Sequence, residues 1–258
     1  MINQMRADLY RQFHTVGFYI LLVFTIAFSL FLTLTQQVGG IMVTDDNKAK
    51  QLDTLSHSPW SVLSGLKAVT MSTSILPYAF IALFIIVIGY EFSQQTYKNT
   101  LLSGISRLQF IGAKYCVLLI DLLALTLVYY ATSLLSSLSA GREAGESWDN
   151  LIADTIIMTL AIAFFMSVIF SIGIIMLVST GSSIVSVVLI VIWPVAISML
   201  TVYAHWSWLK YIDFVTVGLN VAFSIIPIKQ LWPYIGVSAL TLAVTIIGSS
   251  IIIQRKEL

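Results

Sequence analysis

Six long apolar stretches, cut by short polar segments, run along nearly the whole chain: 16–35, 71–90, 115–138, 151–178, 182–203 and 233–253. Each is roughly 20 residues or longer, the length at which a helix rising ~1.5 Å per residue crosses ~30 Å of hydrocarbon. The pattern predicts an all-α membrane protein: one transmembrane domain over 1–258 with six transmembrane helices.

The polar segments have patterns of their own. In 1–14, Met5, Leu9 and Phe13 recur at i, i+4 and i+8, with Met1 and Ile2 extending the stripe, while Arg6, Asp8, Arg11 and Gln12 take the other face. This predicts an amphipathic helix lying in the membrane interface; a plain extension of the first crossing helix is the alternative. Segment 36–70 reads as a polar connection, with Gly39 and Gly40 closing the first helix, turn chemistry at 44–47 and a short helix at 48–55. Asp45 and Asp46 supply too few ligands for calcium. Pro77 and Pro194 interrupt the second and fifth stretches and predict kinks, which makes them candidates for gating. In 94–112, Leu101, Ile105 and Leu108 at i, i+4 and i+7, with Leu102 beside them, predict a short amphipathic helix interrupted near Gly104. Such a helix needs lipid headgroups or another protein against its apolar side. Residues 139–150 form a short turn, and Ser179, Thr180 and Gly181 a tighter one. Segment 205–232 is too apolar for a solvated loop, with Trp206, Trp208, Tyr211, Phe214, Phe223, Ile225 and Ile226. It predicts one or two short helices that dip into the boundary and return. A seventh crossing is the alternative, but no uninterrupted run there reaches ~18 residues.

Composition sharpens this picture. The 258 residues are 58% hydrophobic and 10% charged, with mean hydropathy +0.94, against about 25% charged in soluble domains. A net charge of +1 and the lack of a basic block point away from nucleic acid. The lone cysteine, Cys116, permits no intrachain disulfide and reads as a packing residue. The first stretch is too long for a cleaved signal peptide, so the chain is expected to keep it. With both termini on one side, that side carries seven Lys and Arg (Arg6, Arg11, Lys98, Arg107, Lys114, Arg255, Lys256) and the other six. The positive-inside rule then places both termini in the cytoplasm by a margin of one. Five of the six tryptophans (Trp60, Trp148, Trp206, Trp208, Trp232) fall in or beside the opposite segments, so the two faces differ.

Catalytic chemistry is missing from the pattern. His14, His57 and His205 lie outside the apolar stretches, which argues against haem ligation within the bundle. No HExxH, GxSxG or zinc spacing occurs, no metal site is expected, and no GxxxxGK[ST] loop exists to cradle a nucleotide. Two acids lie inside crossings, Asp121 and Asp154. Asp121 is the better candidate for a pathway role, although both stand near helix ends.

The chain resembles the membrane subunits of ABC-2-type ABC exporters, and most of all the small permeases of bacterial antimicrobial-peptide export and immunity systems (bacitracin, lantibiotic and phenol-soluble-modulin types). The resemblance runs over the whole chain. It rests on Ala7-Asp8-Leu9-Tyr10-Arg11 in the first helix, on Tyr90-Glu91-Phe92 through Thr96, and on Lys98-Asn99-Thr100-Leu101-Leu102-Ser103, Ser106-Arg107 and Lys114. Gln95 stands where the family usually has glycine. The resemblance implies that 94–112 contains a coupling helix docking on an ABC ATPase, with Glu91, Thr96, Lys98, Leu101, Leu102, Ile105 and Arg107 as the coupling residues. It also implies two ATPase copies that bind ATP and Mg, a second permease copy or a related permease, a peptide substrate, and residence in the bacterial cytoplasmic membrane. No cofactor and no enzymatic activity are expected in this chain. A non-pumping channel or assembly subunit, a secondary transporter and a membrane enzyme are the competing readings; a secondary transporter predicts paired broken helices in two related halves, and no such repeat is visible.

Overall fold

Helix α1 (Ile2–Phe13) meets α2 (Val16–Thr35) across a step at His14 and Thr15. A computed structural model describes residues 1–39, 60–204, 206 and 208–255. Gly40, Asp45, Asp46, the helix expected at 48–55, His57, His205 and the tail 256–258 lie outside the described residues. The chain continues as α3 (Val62–Ser93), α4 (Tyr97–Leu102), α5 (Arg107–Ser139), α6 (Trp148–Thr180), α7 (Ser183–Ala204), α8 (Phe214–Ala222) and α9 (Ile228–Arg255). Among the described residues there is no strand. Six helices, α2, α3, α5, α6, α7 and α9, are long and apolar enough to cross a membrane.

The second span starts earlier than its apolar stretch. Residues 62–70, expected to belong to the polar connection, are the buried first turns of α3, with Val62, Leu66, Val69 and Thr70 fully covered. Their hydroxyls and glycine are small enough to pack between helices, so modest hydropathy conceals a core position. A reciprocal cap between Ser61 and Ser64 starts the helix. Backbone bonds from Val62 N to Glu143 O (2.9 Å) and Leu63 N to Ala144 O (3.3 Å) tie it to the α5–α6 turn. The first helix likewise stops before Gly39, at Gln36, which adopts φ +56°.

The centre of the bundle is α6. In its most apolar stretch 78% of residues are buried, against 17% in α9. Hydroxyls pin the spans together, because a polar group facing hydrocarbon must find its partner inside the protein. Ser29 donates to the Tyr129 carbonyl (2.7 Å) and Thr33 to Ser133 (3.0 Å), joining α2 to α5. Tyr129 donates to the Val69 carbonyl (3.0 Å), joining α5 to α3. Tyr115 pairs with Ser167 (2.9 Å), and Thr245 donates to Ser171 (3.0 Å), fixing α5 and α9 on α6.

Segment 205–232 holds a turn of 3-10 helix (Leu209–Tyr211) and α8. Asp213 caps α8 by accepting from Thr216 N (3.3 Å), and Phe214, Val217 and Leu219 are buried. At nine residues α8 cannot span the bilayer. Gly218 permits its close approach to α6: a Cβ there would meet Phe165 Cβ at 3.3 Å. Residues 140–147 and α8 therefore mark one end of the bundle, and α1, α4 and the α6–α7 turn mark the other.

Candidate functional site: a buried charge cluster at the α4 end

Segment 85–114 turns the chain through three helices in a short distance. The last turns of α3 widen into a π-helix (Ile85–Gly89) before closing at Tyr90–Ser93. Gln95 then takes φ +56°, which reverses the chain into α4, and Gly104 takes φ +90° before Ser106 caps α5 through Gln109 N (3.3 Å). Glycine is favoured wherever φ is positive, so Gln95 holds a backbone conformation that glycine would adopt at less cost.

Lys114 lies fully buried in the second turn pair of α5. An ammonium out of water is tolerated only with compensating charge. It has two partners, Asp8 Oδ1 and Glu91 Oε1, each at 2.7 Å. Arg11 completes the set. Its guanidinium donates to Glu91 Oε1 (2.5 Å) and to the Val87 carbonyl within the π-turn (3.3 Å), and lies 3.6 Å from Asp8. Gln4 Nε2 adds long contacts of 3.4 Å to both Asp8 oxygens. Two acids and two bases thus join α1, the end of α3 and the start of α5 in one neutral cluster. Burial, the largest cause, pushes the Asp8 carboxyl above its ordinary value; Lys114 and Arg11 act to lower it, and Glu91 pushes it up further.

The α1 face with Asp8 and Gln12 is covered by protein: they are 4% and 1% exposed, while Phe13 of the apolar stripe is 48% exposed. Met5 and Leu9 are half-buried against the core, and Arg6 is exposed. The covered face follows from Lys114, since a buried ammonium needs acids beside it. One turn beyond Asp8, Gln12 faces Asp121 of α5. The pair closes no well-formed hydrogen bond, since both Gln12 amide atoms and Asp121 Oδ2 lack a partner of good geometry. Asp121 is therefore a buried acid beside α1. Asp154 is half-buried near the other end of α6.

The remaining coupling candidates divide between core and surface. Glu91 belongs to the charge cluster. Leu101, expected on the docking side, is 7% exposed and belongs to the core, whereas Leu102 is 71% exposed and Leu108 51%. The correction follows from the helix breaking at Gly104, which places Leu102 and Leu108 outward on separate helices. Thr96 is exposed with its hydroxyl 3.5 Å from the Glu91 carbonyl, and Lys98, Ile105 and Arg107 are half-buried. Tyr97 stacks on Phe92 (4.4 Å between centroids), and Phe92 lies 6.4 Å from Phe110. Aromatic contacts thus bind α4 to the ends of α3 and α5.

The two proline candidates lie near the middle of their helices. Pro77 follows a 3-10 turn (Ser72–Ile75) in α3. Pro194 is buried within α7 and lines a pocket of about 200 Å³ with Ser74, Tyr78, Ser198 and Asp213. Among the described residues no three His, Cys, Asp or Glu side chains gather as a metal site.

A family model described as an ABC-2 family transporter protein matches residues 16–197. No curated protein and no solved structure matches the chain.

Proposed function

This multi-pass membrane protein belongs to the ABC-2 transporter family, its match covering well over half of the chain, and from that premise we propose that it is the permease of an exporter driven by a separate ABC ATPase gripping the α4 segment. The observation that carries the reading is the Asp8–Arg11–Glu91–Lys114 cluster beside α4. A short helix transmits force only if it is stiffly joined to what must move. Here α4 is stacked on α3 and α5 by Tyr97, Phe92 and Phe110, and the same helix ends are ion-paired to α1. Exposed Leu102 and Leu108 supply the apolar contact for a groove on the ATPase, and Lys98 and Arg107 the cations for its rim.

ATP binding draws two ATPase copies together, with Mg, and tips two permease copies between inward-open and outward-open shapes. The shift is limited to the differential affinity of ATP for the two states. The cargo is an amphipathic peptide moved out of, or away from, a bacterial plasma membrane with both termini of this chain cytoplasmic. Its apolar side suits the hydroxyl-dotted pocket beside Pro194, and the broken helix at Pro77 supplies the give that alternating access needs.

The test is purification from native membranes in mild detergent, scoring co-purification of a soluble ATPase. Lys98→Glu with Arg107→Glu, and separately Leu102→Asp, are expected to lose the ATPase while membrane insertion and thermal stability persist. Undiminished binding and ATP-driven export in both variants would overturn the assignment.

A further inference from the structure

A groove of about 520 Å³ opens between α5, α6 and α9, walled by Leu119 and Leu123, by Ile157 and Ala161, and by Leu231 and Ile235. The register of α6 and α9 fixes its depth. These helices run parallel, and Thr245 bonds Ser171 at an offset of 74 residues. The same offset pairs Leu231 with Ile157 and Ile235 with Ala161, which face each other across the groove. The helices therefore touch in one half and leave space in the other. Helix α6 is 33 residues, about 50 Å, so it overruns a ~30 Å hydrocarbon layer by roughly 10 Å at each end. Ile157 and Ala161 stand about 14 and 20 Å from its Trp148 end, inside the hydrocarbon on the α8 side.

Protein interiors close voids of this size, and water needs polar partners that this wall lacks. The side chains lining it are all apolar. The occupant must be hydrocarbon. Next along α9, Tyr234, the neighbour of Ile235, packs on Tyr211 (4.9 Å between centroids), and the exposed Lys210 ammonium stands 5.1 Å from the Tyr211 ring. Aromatic rings and a lysine beside an apolar slot match the boundary between acyl chain and headgroup.

We propose that this groove is a binding site for one anionic glycerophospholipid, its acyl chain between α5, α6 and α9 and its phosphate at Lys210. The bound chain replaces the missing contact between α6 and α9 on the α8 side.

The experiment uses the full chain in nanodiscs of phosphatidylcholine doped with phosphatidylglycerol carrying an acyl-chain diazirine. After photolysis, labelled peptides are mapped by mass spectrometry. In the wild type, label is expected at least fivefold richer at 157–161 and 231–235 than at Leu240, Val244 and Ile247, which face outward on the same α9. Ala161→Phe, which fills the slot, should remove that excess and keep the outward label. Lys210→Gln should reduce groove labelling to the level given by a phosphatidylcholine diazirine. Even labelling along wild-type α9, equal groove labelling by the two wild-type probes, or efficient copy-to-copy disulfide formation by Leu231→Cys would each overturn the proposal. The wild-type comparison decides the matter even where Ala161→Phe does not fold, and none of these readouts depends on an ATPase.

Discussion

Lys114 is the residue on which the α4 end of the molecule turns. Deleting one member of a buried ion pair leaves its partner's charge stranded, at about 3–5 kcal/mol. Lys114→Met leaves Asp8 and Glu91 facing one another, with only half-exposed Arg11 to offset them. The expected outcome is a thermal transition in detergent lowered by that order. Adding Asp8→Asn and Glu91→Gln should recover most of it, and a triple variant as unstable as the single one would contradict the electrostatic account. Asp8 also gives a pH signature. Its carboxyl is raised above the ordinary 3.8 by burial, with Gln4, Arg11, Glu91 and Lys114 facing it. A raised acid contributes stability fully below its ordinary value, and this is lost as pH rises through the raised one. Docking of α1 should therefore tighten as pH falls from 7 toward 4. Amide exchange over residues 2–13, corrected for the intrinsic rate, should slow over that range, and Asp8→Asn should flatten the dependence.

At the scale of elements, positive φ is a local cost with a local remedy. Gln95 turns α3 into α4 at φ +56°, a conformation that charges a side-chain-bearing residue about 1–2 kcal/mol, less the added chain entropy of glycine. Gln95→Gly should raise stability by up to about 1 kcal/mol in a thermal melt without changing the fold. A loss of stability would mean that the Gln95 side chain makes compensating contacts. The same segment marks a limit of periodicity. Leu101, Ile105 and Leu108 fall on one stripe of an ideal helix, but Gly104 breaks that helix, so Leu101 enters the core while Leu108 faces out. A stripe read across a break joins residues that the chain separates.

For the whole molecule, Gly173 lets α6 pack closely against the side chains of α7 and α3. A Cβ on Gly173 would meet Ile190 Cδ1 at 2.5 Å and Phe84 Cε2 at 3.3 Å. Gly173→Leu is therefore expected to cost about 1–3 kcal/mol and to push α7 from α6, measurable as a longer spin-label distance between them. An unchanged distance would show that Ile190 can turn aside without moving its helix. Helices α2, α7 and α9 are the least covered of the spans, so displacing α7 meets less resistance than displacing α5 or α6.

Span number, helical class and the apolar character of 205–232 are carried by sequence alone, because hydrocarbon thickness and the need to pair backbone polar groups act on any chain of this length and hydropathy. Glu91 and Lys114 were legible as a motif, and Asp8 and Arg11 as one face of a helix. Their meeting was not, since Asp8 and Lys114 lie 106 residues apart and no local periodicity encodes such a pair. Tertiary packing alone decided that the polar face of α1 turns inward, that residues 62–70 are core, and that α6 and α9 part to leave an apolar groove. Each outcome depends on which charges and voids the neighbouring helices present, and a helix read in isolation has no neighbours.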